Sequence, residues 1–249
     1  MTLPDRFAAI ADIHGNADAL RAVLARIDAM GIGMVVNLGD MFSGPLAAAE
    51  TWELLRDRPM PTVRGNHDRY LISQPPGDMG PSDRVAHDQL PPAALDWLRS
   101  LPMTLERDGT FLCHATPGAD ETYWLHAVDR HGTVHPAGAA DVAAHLDRVA
   151  QGLVLCGHTH LPRVVCWKGQ TLVNPGSVGC PGYTDTRPVP HVVETGTPAA
   201  CFAVIARHSS GWQVTHHHVP YDPSRMVALA RKHGRDDWAE ALATGWISR

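Results

Sequence analysis

The stretch RFAAIADIHGNADALRAVLARIDAMGIGMVVNLGD, residues 6–40, changes its hydrophobic period twice. RFAAIAD is a short apolar run ending in Asp12, the pattern of a buried strand. Leu20, Val23, Leu24, Ile27 and Met30 then follow the i, i+3, i+4, i+7 spacing of a helix, with Gly31 as its stop. MVVNLGD returns to a buried strand and AAAETWELLRDR to a helix ended before Pro59. PTVRGN reads as a third strand, and this β-α-β-α-β order implies parallel neighbours joined by right-handed crossovers.

Downstream, TFLCHA, LVLCGHTH, RVVCW and QTLVNPG read as strands, and AADVAAHLDRVAQ as a helix. CFAVIAR and GWQVTHHHV suggest a final hairpin, followed by helical material from Pro223. Ser73–Pro92 and Ser177–Pro198 are rich in Pro and Gly and read as irregular loops. No repeat or linker divides the chain, so residues 1–249 are expected to form a single domain with a C-terminal helical extension from about 222. There Met226, Leu229, Ala230, Trp238, Leu242 and Trp246 are expected to pack on the same chain, a homodimer contact being the weaker alternative.

The net charge of -5 supplies no Lys/Arg excess for long nucleic acid. No apolar run approaches a membrane span. The start, with Pro4 and two early charges, lacks the pattern of a signal peptide. Five scattered cysteines without a CxxC pair fit free thiols, and a cytoplasmic location is expected.

Polar residues gather where strands end. These are Asp12 and His14, Asp40, Asn66 and His67 within VRGNHD, His114, and His158 with His160. Carboxyl ends of parallel strands converge on one edge of a sheet. In extended chain, residues i and i+2 face the same side, so Asp-x-His and His-x-His can each aim two ligands at one pocket. Carboxylate, imidazole and amide oxygen together suit Mn, Fe or Zn better than Mg.

Asp12-Ile-His14, Gly39-Asp40, Gly65-Asn66-His67-Asp68, His114 and Gly157-His158-Thr159-His160 resemble, block by block, the calcineurin-like metallophosphoesterase family, over about residues 7–207. The resemblance implies an α/β fold, a four-layer αββα sandwich with two mixed β-sheets flanked by helices. It implies two divalent metal ions, Mn first and Fe, Zn, Ni or Co as alternatives. Asp12, His14, Asp40 and His160 would hold one, and Asp40, Asn66, His114 and His158 the other, with Asp40 as the bridge. A hydroxide shared by the metals would attack phosphorus, and His67 would protonate or stabilise the leaving oxygen. Asp68 is expected to orient the His67 ring.

GDMFSGP and GNHD depart from the G-D-x-x-D-R-G and G-N-H-E of protein phosphatases and symmetrical dinucleoside-tetraphosphate hydrolases. The chain looks more like the compact bacterial and archaeal phosphodiesterase branch. The expected substrate is a small phosphodiester or nucleotide. The alternatives are a phosphomonoester of a metabolite or phosphoprotein, and a non-catalytic scaffold like a retromer subunit that has lost key residues. Arg64, Arg69 and Arg187 are candidate phosphate contacts, and Tyr183 or Trp124 could stack on a base. Pro175-Gly176-Ser177 is expected to shape the floor of the site, and the long stretch 180–199 to cover it or meet another subunit.

Overall fold

The computed structural model describes residues 2–248; Met1 and Arg249, the ends of the expected single-domain span, lie outside it. The chain runs β1 (Arg6–Ile10), α1 (Ala17–Ala29), β2 (Val35–Asn37), α2 (Ala48–Leu55) and α3 (Asn66–Ser73). A 3-10 turn at Pro76–Asp78 leads to α4 (Pro81–Gln89) and α5 (Pro92–Ser100). Then come β3 (Thr104–Arg107), β4 (Thr110–Cys113), β5 (His126–Val128), β6 (Val134–Pro136), α6 (Ala139–Ala143) and β7 (Leu153–Leu155). The remainder is β8 (Arg163–Trp167), β9 (Gln170–Asn174), β10 (Gly182–Asp185), β11 (His191–Glu194), β12 (Ala200–His208), β13 (Gly211–Val219), α7 (Ser224–Lys232) and α8 (Asp236–Thr244).

Two mixed sheets carry the fold, ordered β13-β12-β1-β2 and β3-β4-β7-β9-β8, with β5–β6 and β10–β11 as separate hairpins. Alternation along β1 sends Phe7 and Ala9 inward between the sheets, where they join Val36, Ile205, Leu112, Leu155 and Val173. Ala8 and Ile10 face the other way, onto Leu20, Val23 and Ile27 of α1. Behind the second sheet Cys113, Val154 and Leu172 pack on Trp124 and Val142. These three apolar layers make the αββα sandwich, each buried Leu, Ile or Val stabilising it by roughly 1.5–3 kcal/mol. Met226, Ala230, Trp238 and Leu242 of α7 and α8 cover Leu46 and Cys180, while Trp246 is left 55% exposed.

Four expectations need correction. Ser73–Pro92 is not a loop: Pro76, Pro81 and Pro92 occupy the first turns of helical segments, where a missing N–H costs nothing. The 177–198 stretch contains the β10–β11 hairpin, its prolines lying outside the paired residues. PTVRGN forms only a one-residue bridge, Thr62 to Asn37, before α3 begins. The expected helix after Gly138 is regular only over Ala139–Ala143. Among the described residues no helix is long and apolar enough to cross a membrane.

Candidate metal centre

β1 and β2 are parallel, as are β4, β7 and β9, so their carboxyl ends open on one side. The emerging loops are laced together. Ile13 and His14 donate their N–H groups to Asp40 O at 2.9 and 3.0 Å, and the His158 N–H reaches Asp12 Oδ2 at 3.1 Å. Asp12, His14, Asp40, His158 and His160 all have φ between 51° and 69°, the left-handed region that side chains other than glycine seldom adopt. Such strain persists where surrounding structure over-determines it, and it concentrates at functional sites.

The loops assemble two clusters, Asp12–His14–His160 and Asp40–His114–His158. Asp40 Oδ2 lies 3.8 Å from His14 Nε2 and 3.2 Å from His114 Nε2, between the two. Asn66 Oδ1 is 3.1 Å from His114 Nε2. All seven predicted ligands are thus gathered at one place.

The donor chemistry fits cations. The Nδ1–H groups of His14, His114 and His160 each donate at 2.7 Å to a backbone carbonyl, of Ser43, Leu38 and Cys180 respectively. This fixes Nε2 as the inward-facing atom. His14 Nε2 and His160 Nε2 then present lone pairs to one another at 3.2 Å, an arrangement that repels unless a cation lies among them. Burial holds the His14 and His158 pKa values down to about 4 and that of His160 well below the usual value, keeping these rings in the neutral, ligating form. Burial also pushes Asp12 up to about 8. Burial pulls His114 down, but the attraction and hydrogen bond of Asp40 prevail and raise it to about 10.

The expected pairing of His67 with Asp68 is not formed. Asp68 Oδ2 accepts the N–H groups of Asp40 and Gly65 at 2.7 and 3.0 Å, and Oδ1 that of Met41 at 3.0 Å. Adjacent residues on a helix do not face each other, and Asp68 turns back to close the start of α3. The partner of His67 is Asp83 of α4, with Nδ1 2.9 Å from Oδ1. Burial would lower the His67 pKa, but the Asp83 hydrogen bond and the Asp40 charge raise it to about 9.

The clusters form the floor of a cleft of about 870 Å³. Its walls come from α4, from the segment around Tyr123, from the β10–β11 hairpin and from α8. Tyr183 lines it with its ring 4.6 Å from that of His160, and its hydroxyl is bonded to that of Tyr123 at 2.5 Å. Trp124 also reaches the cleft but is held in the core, its Nε1 donating to Val142 O. Of the three arginine candidates only Arg187 lines the cleft, 3.6 Å from Glu121 of its wall; Arg69, which pairs with Asp120 and Glu121, and Arg64 are not among the lining residues. Ser177 Oγ donates to Asp12 O at 2.8 Å, bracing the floor. In the His216–His218 triplet His216 donates to Asn174 O and His217 stacks on Phe202. Ser43, Asp83, Tyr123, Arg235 just before α8 and Trp238 on it are cleft residues that sequence reasoning missed. Only Ser43, three positions after Asp40, had any local signal.

Residues 6–197 match the model of the calcineurin-like phosphoesterase superfamily domain. An uncharacterized protein of Methanocaldococcus jannaschii is 30% identical over 198 residues, 70% of this chain and 76% of its own. The crystal structure of a metallophosphoesterase from Sphaerobacter thermophilus is 25% identical and superposes with a TM-score of 0.75, over 97% of this chain and 99% of that one. A hypothetical protein of Pyrococcus horikoshii shares the fold at 18% identity and a TM-score of 0.73, over 98% and 99% of the two chains. The family model spans every metal-site motif, and with the two ligand clusters it makes this chain a member of the calcineurin-like phosphoesterase superfamily, metal-dependent hydrolases of phosphate esters.

Proposed function

We propose that the protein hydrolyses a small phosphodiester with uncharged organic arms, such as a nucleoside-bearing diester, using two divalent cations, with Mn²⁺ the first choice. The supporting observation is the charge of the cleft wall. Beyond the metal ligands it carries Asp83, Glu121, Asp141, Asp185 and Asp237 against two arginines, Arg187 and Arg235, and His67, which pairs with Asp83. Both arginines already face carboxylates, Glu121 at 3.6 Å and Asp237 at 2.7 Å. A phosphomonoester brings close to two negative charges at pH 7 and a diester one. An acidic wall with paired arginines therefore penalises the monoester more. The volume of about 870 Å³ also lies within the range that encloses a ligand of nucleotide size.

Asp12, His14, Asp40 and His160 would hold one cation and Asp40, Asn66, His114 and His158 the other. So bound, the pair supplies a Lewis-acid clamp on phosphoryl oxygens and a water of lowered pKa. The chain's own contribution is proton delivery. His67 donates Nδ1–H to Asp83 and stays protonated near neutral pH, leaving its Nε2–H for the leaving oxygen. Water gives one proton to solvent and forms the new bond to phosphorus as hydroxide, the old P–O bond breaks with its electrons on the leaving oxygen, and the Nε2 proton of His67 neutralises that oxygen. A scaffold would have no use for this pair of a half-buried imidazole and a buried carboxylate.

Initial rates on bis(4-nitrophenyl) phosphate and 4-nitrophenyl phosphate, with metal-stripped protein refilled with Mn²⁺, test the reading. A higher kcat/KM for the diester, lost in His67→Ala, is the expected result. Turnover of the monoester alone would make the protein a phosphomonoesterase.

A further inference from the structure

We infer that Asp83, locked by Ser43, is the positioning residue for His67, so that a helix outside every metal-site motif orients the proton donor. The inference rests on the reading of His67 as that donor. Asp83 Oδ1 receives two hydrogen bonds, from His67 Nδ1 at 2.9 Å and from Ser43 Oγ at 2.5 Å. Its carboxylate is buried, so neither bond is readily exchanged for water. Ser43 Oγ also lies 3.2 Å from His67 Nδ1, closing a three-membered network.

Ser43 does a second thing. Its backbone carbonyl accepts the Nδ1–H of His14 at 2.7 Å, so one residue sets the ring of a candidate metal ligand and the carboxylate behind the proton donor. The two rings stand edge to face with centroids 5.5 Å apart. Ser43 occupies the position that is aspartate in the x-x-D-R-G continuation, so this loop brings no carboxylate of its own. The carboxylate comes from α4, and Asp68, beside His67 in sequence, is engaged by three backbone N–H groups.

The start of α4 is itself anchored. Arg235 of the C-terminal region hydrogen-bonds Ser82, pairs with Asp237 and lies over the Trp238 ring at 5.8 Å. Trp238 in turn stands edge-on to His14 at 5.9 Å. The C-terminal helix pair thus holds Asp83 in register with the metal-site floor.

The test uses Mn²⁺-loaded wild type, Asp83→Asn, Ser43→Ala, His67→Ala and the Asp83→Asn/His67→Ala double variant. The substrates are two diesters sharing one arm, with a nitrophenolate or an alkoxide as leaving group. A nitrophenolate departs without a proton, whereas an alkoxide needs one. In Asp83→Asn, kcat for the alkoxide substrate is expected to fall ~100-fold relative to that for the nitrophenyl substrate, with KM unchanged. The double variant is expected to be no slower than His67→Ala alone, because the two residues act as a unit. Equal loss on both substrates, loss confined to KM, or additive effects in the double variant would overturn the inference.

A readout independent of turnover is the imidazole ¹H–¹⁵N spectrum of Zn²⁺-loaded protein. The hydrogen-bonded Nδ1–H resonance of His67 is expected in wild type and lost in Asp83→Ala, and its persistence in that variant overturns the inference. If wild type cleaves neither diester while this signal behaves as expected, the diesterase reading fails and the positioning role stands.

Discussion

The carboxylate of Asp68 accepts the backbone N–H of Asp40 at 2.7 Å, so the residue after the candidate proton donor fixes the loop that carries the central carboxylate of the metal floor. The same group holds the N–H groups of Gly65 and Met41. Asp68 is therefore structural in its effect, reaching the candidate metal floor through Asp40.

Replacing Asp68 by Ala should leave three buried N–H groups without acceptors. Each such group costs about 1–3 kcal/mol, so a loss of roughly 3 kcal/mol or more is expected in a urea titration of the metal-loaded protein. Asp83→Asn, which keeps a polar side chain in place, should change the midpoint far less. Comparable losses in the two variants would contradict the separate roles given to these carboxylates.

Gly65 crosses Asp40 with no room for a side chain, and a Cβ there would collide with Asp40 Oδ1 and come within 2.7 Å of its backbone N. Gly65→Ala should displace the Asp40 carboxylate and lower the bound metal to one equivalent or none. Metal analysis after gel filtration measures this directly. Two full equivalents in the variant would show that Asp40 does not link the clusters.

Stripping metal should destabilise the fold, because the facing lone pairs of His14 and His160 and the buried Asp12 and Asp40 lose the cations that reconcile them. Binding to the native state alone contributes about 4 kcal/mol at a thousand-fold excess over Kd. Calorimetry with Mn²⁺ and with a chelator should therefore show a higher Tm in Mn²⁺. An unchanged Tm would mean that the clusters are not a cation site.

His126, buried at the cleft wall with Nδ1 3.2 Å from Thr159 Oγ1, supplies a pH signature outside the ligand set. Burial, with Arg163 and His135 nearby, holds its pKa down to about 4 from 6.5. Between those values the unfolded chain binds a proton that the native state refuses, so stability falls as pH drops from 6.5 towards 4 and levels off below. The contribution is at most ~3 kcal/mol. At fixed metal concentration, His126→Gln should show a shallower fall across that window than wild type. Parallel curves would rule out His126 as its source.

Local pattern made much of this legible. The i, i+3, i+4, i+7 spacing in α1 and the apolar runs of β1, β2, β4, β7 and β9 reflect burial that each segment records in its own residues. The proline-rich stretches misled because proline both stops and starts regular structure. Pro81 and Pro92 begin helices here, and Pro188 and Pro190 lie in the turn of a hairpin. PTVRGN reads as a strand yet pairs at one residue, since pairing depends on where the neighbouring edge ends.

The sequence by itself determined the α1 helix, the strands β1, β2, β4, β7 and β9, and the identity of the seven candidate metal ligands, because ligand types at strand ends are written within a few positions of each other. Tertiary structure alone decided which carboxylate serves His67. Adjacency in sequence pointed to Asp68, but helix geometry turns Asp68 back onto the loop of Asp40, while the packing of α4 delivers Asp83. It also decided the charge of the cleft wall, where carboxylates and arginines from 83 to 237 meet. A hydrogen bond between residues 16 positions apart, or a wall built from several elements, depends on the angles at which elements pack. No short-range pattern in the chain encodes those angles.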